Sequence, residues 1–117
     1  MVENSKELVA ASLAPLVLMI LSDHETYGYE LIQQLKKKSG EKLHIAEGTL
    51  YPVLKKMEEK KWVSSKWRTA ESGKQRKYYS ITKKGKEQLS EQISQWNFFN
   101  NLIQNLWDQK ALSFSLK

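Results

Sequence analysis

The stretch Trp62-Val63-Ser64-Ser65-Lys66-Trp67-Arg68-Thr69-Ala70-Glu71-Ser72-Gly73-Lys74-Gln75-Arg76-Lys77-Tyr78-Tyr79-Ser80-Ile81-Thr82 decides the fold. Before it, apolar residues recur every three or four positions; within it they recur every two. Val63, Ser65 and Trp67 alternate with Ser64 and Lys66, the pattern of a strand. Ser72-Gly73 is a turn signal. Lys77 to Ile81 forms a second strand, with Tyr79 and Ile81 on one side and Tyr78 and Ser80 on the other. The result is a hairpin whose tip spans residues 71–76. From Trp62 to Lys86 the cations are Lys66, Arg68, Lys74, Arg76, Lys77, Lys83, Lys84 and Lys86, and the acid is Glu71. That local surplus exceeds the net charge of +6 carried by all 117 residues. Charge gathered in one place suits an anionic partner, because neutralising phosphates releases their counterions.

Working upstream, Ala46 to Lys60 reads as a helix with Leu50, Val53, Leu54 and Met57 on its inner face. Pro52 would clash with the carbonyl of residue 48, which is a glycine, so the helix either passes through Pro52 or starts near it. Residues 41–45 form a linker expected to pair as a short strand. Tyr27 to Ser39 is an earlier helix, with Thr26 as its expected cap, Leu31, Ile32 and Leu35 inside, and Gly40 at its end. Lys36, Lys37 and Lys38 lie in its last turn, where the helix dipole favours cations, the alternative being phosphate contact. The first helix covers Lys6 to Leu21. Pro15 either kinks it or marks a new start capped by Ser12. Downstream, Thr82 caps a last helix expected to reach about Gln109, with Phe114 to Lys117 frayed. Leu89, Ile93, Trp96, Phe99, Asn100, Ile103 and Leu106 form a stripe along it, too long for one small domain to cover.

The order is helix, helix, helix, hairpin, long helix. That predicts a mainly α protein with a small β-hairpin: a winged helix-turn-helix over residues 1–81 and a C-terminal dimerisation helix over 82–117. In such a fold the third helix enters the major groove by its N-terminal half, and the wing lies beside the phosphates. Other classes find little support. The chain has no cysteine, which removes disulfides, thiolate catalysis and cysteine metal sites. His24 and His44 fall on polar loops without a nucleophile partner or metal-ligand spacing, so neither an enzyme nor a metal or other cofactor is expected. The apolar run Leu13 to Leu21 is too short to cross a bilayer and follows no basic cluster. A cytoplasmic protein is expected. An architectural module without sequence choice, or a single-strand binder using exposed aromatics such as Trp62, Trp67 or Tyr78, is the competing reading. A tryptophan at the start of a hairpin, however, reads more readily as core.

Three segments also resemble a known family. Tyr27-Gly28-Tyr29-Glu30-Leu31, then Glu47-Gly48-Thr49-Leu50-Tyr51-Pro52-Val53-Leu54 with Met57-Glu58, then Arg76-Lys77-Tyr78-Tyr79-Ser80-Ile81-Thr82 with Gly85, look like the PadR family in order and spacing. Lys61-Trp62-Val63 departs from that family's usual Gly-Leu-Ile, and Lys74-Gln75 occupies a wing-tip position often rich in glycine or proline. The resemblance implies a dimeric repressor that binds double-stranded DNA. It implies DNA contacts from Tyr27, Thr49, Tyr51 and Lys55 on the helices and from Lys74, Arg76 and Lys77 on the wing. It also implies a site for a small aromatic effector where two copies meet, lined by Trp96, Phe99, Asn100 and Ile103 with Leu13 and Val17 across the interface. The alternative for Trp96 is ordinary interface packing, and for Tyr51 packing within the domain.

Overall fold

The structure, a computed structural model, describes residues 6–115. Helix α1 (Lys6–Asp23) is followed by the short strand β1 (Thr26–Tyr27), α2 (Gly28–Lys38), α3 (Glu47–Glu59), β2 (Val63–Thr69), β3 (Gln75–Ile81) and α4 (Lys83–Ser115).

Helix α1 passes through Pro15 unbroken. Ser12 starts no new helix; its hydroxyl donates back to the Leu8 carbonyl at 2.7 Å, one turn earlier. Helix α3 likewise passes through Pro52. Its first turn is closed by Thr49 and Leu50 N–H groups donating to the Ala46 carbonyl at 3.0 and 3.1 Å.

The sheet differs from the expected two-stranded hairpin. It has three antiparallel strands in the order β1-β3-β2. Residues 41–45 form no strand; the third strand is Thr26–Tyr27, paired with Tyr79 and Tyr78. Thr26 is therefore buried in the sheet rather than capping α2. The N-cap position falls on Tyr27, which makes no side-chain cap bond. The hairpin tip is shorter than expected. Strand β3 starts at Gln75, and Gly73, at φ +86°, closes the turn.

Both α2 and α3 end in the same motif. After α2, the Gly40 and Glu41 N–H groups reach back to the Lys37 and Lys36 carbonyls. After α3, Lys61 donates to Glu58 at 2.9 Å and Trp62 to Met57 at 3.0 Å. This paired closure needs a left-handed residue just past the helix, usually glycine. Gly40 supplies it at φ +67°, but at the second site it is Lys61 that sits at φ +65°. Glycine permits that conformation without the clash a Cβ brings.

The core gathers Leu13, Val17, Leu18 and Leu21 of α1, Leu31 and Leu35 of α2, Leu50, Leu54 and Met57 of α3, and Val63 and Tyr79 of the sheet. The join between wing and last helix is tight. Thr82 caps α4, its hydroxyl accepting the Gly85 N–H at 3.0 Å while donating to the carbonyl of Lys61 or Trp62. A Cβ on Gly85 would fall on the Trp62 carbonyl oxygen, so only glycine fits there. Leu89 still packs against the core. Beyond Ile93 every side chain described on α4 is exposed, and the helix runs past the expected end near Gln109 to Ser115. Of the tail expected to fray, Phe114 lies in the helix, while residues 116–117 lie outside the described residues.

Candidate nucleic-acid interface

A groove of ≈ 1010 Å³ lies between the start of α2, the exposed side of α3 and the hairpin. Six of the seven residues expected to meet DNA line it: Tyr27, Tyr51, Lys55, Lys74, Arg76 and Lys77. Thr49 does not; it is exposed in the first turn of α3, outside the groove wall.

Each wall is built by local packing. Tyr51 lies across Gly28, where an added Cβ would stand 2.6 Å from its hydroxyl. The absence of a side chain at Gly28 lets the two helices approach with the Tyr51 ring between them. Tyr51 stays 42% exposed, and partial burial, helped by the Glu47 charge, raises its phenol pKa above the ordinary value. The hydroxyl is thus a neutral donor throughout the physiological range. Tyr27 holds the Arg76 guanidinium over its ring, 4.2 Å from the centroid, and meets Tyr78 edge-on at 5.3 Å. Arg76 is thereby preorganised at the groove mouth.

Two carboxylates fix the wing, a role that the sequence assigned to neither. Glu58 on α3 accepts the Ser65 hydroxyl and pairs with Lys77 at 3.4 Å. Glu25 accepts the Ser80 hydroxyl at 3.0 Å and pairs with Arg68. The Ser80 hydrogen bond, joined by Arg68 and Lys66, holds the Glu25 carboxyl below its ordinary pKa against the opposing effect of desolvation. Tyr79, buried in the same sheet, has its phenol pKa raised by burial and by Glu58 and Tyr51. Lys77 is thus a structural cation as well as a groove residue. No ion pair is recorded for Lys55 or Lys74 among the described residues.

Trp67 also departs from the core position favoured for a hairpin tryptophan. It shares a strand face with buried Val63 and so reads as core, yet it is 65% exposed and lines the groove. Val63 lies at the base of the hairpin, over the helices, whereas Trp67 lies four residues nearer the tip. Tyr29, Glu47, Glu59 and Gln75 complete the wall.

The proposed effector residues do not come together in one chain. Trp96, Phe99, Asn100 and Ile103 are exposed on α4. Leu13 and Val17 are 0% exposed in the chain's own core and present no surface to a second copy. Helix α1 is apolar on almost every side, and its Leu13–Val17 side turns inward; Leu8 and Met19 are the large apolar residues it leaves exposed. Among the described residues no group of three or more His, Asp or Glu could hold a metal ion, and no helix is long and apolar enough to cross a membrane.

Three helices, a small antiparallel sheet with its wing and a trailing helix define a winged-helix protein. The transcriptional regulator PadR-like family matches residues 17–91, and the chain belongs to that family. It is a family of transcriptional regulators rather than an enzyme class. A PadR-like transcriptional regulator of Bacillus cereus is 35% identical, with a TM-score of 0.74 over 86% of this chain and 96% of that one. A PadR family regulator of Eggerthella lenta is 33% identical, with a TM-score of 0.76 over 86% and 85%. An uncharacterized protein of Lysinibacillus sphaericus is 31% identical over 97 residues, 83% of this chain and 89% of that protein.

Proposed function

We propose that this chain is a cytoplasmic, dimeric repressor that places α3 in the major groove of an operator and its wing on the adjacent backbone. The groove carries this reading. A helix with exposed hydroxyls and a lysine, and a wing with cations at its tip, flank this groove. Residues 1–81 form the DNA-binding part and residues 82–117 the pairing helix. Exposed Trp96, Phe99, Ile103 and Leu106 supply the apolar face through which two copies associate. A small aromatic ligand stacking near Trp96 between the copies changes the angle of the two α3 helices and weakens operator binding. That requires different ligand affinities for the two arrangements.

Fluorescence anisotropy tests the DNA reading, using duplexes from upstream of the protein's own gene and a random duplex across a salt series. Nanomolar binding to a two-fold symmetric site, at least ~10³-fold tighter than to random sequence, is the expected result. Equal and steeply salt-dependent binding to both duplexes replaces the repressor with an architectural module. The effector reading predicts saturable quenching of tryptophan fluorescence by at least one of a panel of aromatic drugs; a panel without it removes the effector.

A further inference from the structure

The proposed interface contains one large side chain whose chemistry is not that of a phosphate contact. Trp67 stands on β2 between Lys66 and Arg68, directly across the ladder from Lys77. It is 65% exposed and lines the groove with Tyr51, Lys55, Lys74 and Arg76. Neither packing nor folding accounts for that exposure, since the buried core includes Val63 and Tyr79 but not Trp67. A nucleic-acid backbone is itself alternating: an anionic phosphate, then an apolar sugar face. A channel fitted to it offers both cations and apolar surface; here Lys55, Lys74 and Arg76 supply the first and Trp67 the second, on a wall that also carries Glu47, Glu58 and Glu59.

Resting on the DNA reading above, we infer that Trp67 packs against the deoxyribose of the backbone strand held between α3 and the wing. Lys55, Lys74 and Arg76 meet the flanking phosphates. The contact is apolar, so it strengthens binding without releasing counterions. It is made from the wing wall rather than from the recognition helix, so it adds affinity to every sequence the groove accepts. A base platform would do something different. It would stack unpaired bases and favour single strands.

Salt dependence separates these roles. Affinity is measured for the intact protein, Trp67→Ala, Trp67→Phe and Lys74→Ala, on operator duplex, random duplex and the operator single strand. Trp67→Ala is expected to weaken both duplexes by about tenfold, the loss that follows from exposing part of an aromatic ring again. Its slope of log affinity against log salt stays that of the intact protein. Lys74→Ala lowers that slope by about one. Trp67→Phe restores most of the affinity. Because Trp67 is exposed, Trp67→Ala keeps the intact melting temperature, which separates a contact from a folding defect.

Duplex affinity unchanged in Trp67→Ala overturns the inference while leaving the DNA reading intact. A loss accompanied by an equally reduced salt slope also overturns it, because Trp67 would then act by positioning cations. Single strand bound more tightly than duplex, with that preference lost in Trp67→Ala, makes Trp67 a base platform instead. An intact protein that binds no duplex overturns the DNA reading and this inference together.

Discussion

The two ends of this molecule solve the burial problem in opposite ways. Around α1, α2 and α3, leucines at positions 13, 18, 31, 50 and 54 are fully buried within the one chain. Along the outer part of α4, Trp96, Phe98, Phe99, Leu102, Ile103, Leu106 and Trp107 stand exposed. The first region completes its core internally. The second carries aromatic and aliphatic surface and leaves it facing outward, an arrangement that suits the interaction proposed above. Apolar content alone thus does not tell core from interface; what matters is whether the chain folds back over it.

The largest expected effect falls on the internal side. Leu54→Ala costs about 3 kcal/mol, since neighbours fixed in a close-packed core fill the hole only in part. Leu106→Ala, by contrast, changes the stability of the dilute protein by less than about 0.5 kcal/mol. Thermal denaturation of both variants checks the pair, and equal losses would erase the distinction between the two regions.

The next test acts on α4 alone. Ile103→Asp places a charge in the proposed pairing face. The intact protein is expected to melt at a temperature that rises with concentration, while the variant melts at one temperature throughout. Sedimentation gives the matching result, a dimer converted to monomer. A concentration-independent intact protein would mean that α4 covers itself by other means.

Smaller in size is the effect at Lys61, where the left-handed closure of α3 is made by a side-chain-bearing residue. Lys61→Gly is expected to raise stability by about 1 kcal/mol in a denaturant titration. This is where the departure from the family's usual Gly-Leu-Ile has a visible structural cost.

The smallest effect is a pH dependence on the wing side. Glu25 has a lowered carboxyl pKa in the folded chain, so its contribution is present above the unfolded value, near 4.3, and is lost as pH falls through the folded value. The intact protein and Glu25→Gln therefore differ slightly at pH 7 and converge in acid. A difference that persists once the pH has fallen below the folded value would show that Glu25 acts by shape rather than charge.

Much of this architecture was legible in the chain. The change of period at Trp62 located the hairpin, the spacing of Leu50, Leu54 and Met57 located the inner face of α3, and Thr82 located the start of α4. What stayed hidden depended on tertiary distance. A two-residue strand such as Thr26–Tyr27 is too short to show a period; only its pairing with Tyr79 and Tyr78 defines it. Alternation places Trp67 on the same side as Val63, but not how far that side extends beyond the helices. In α1, apolar residues surround the axis, so the sequence does not say that Leu13 and Val17 turn inward. In the candidate site, cations on a basic hairpin were visible as charge, whereas the carboxylates that hold two of them, Glu25 for Arg68 and Glu58 for Lys77, lie on other elements, and only the folded chain brings each pair together.

The length of α4 has a mechanical consequence. A helix of 33 residues is a stiff rod about 50 Å long, rooted in the winged-helix part through Thr82 and Gly85. Such a rod acts as a lever. A tilt of only about 5° at one end displaces the other by ~4 Å, comparable to the ~3.4 Å spacing of successive base pairs. In the proposed dimer, a change too slight to disturb packing along the pairing face would thus be magnified at the two winged-helix parts.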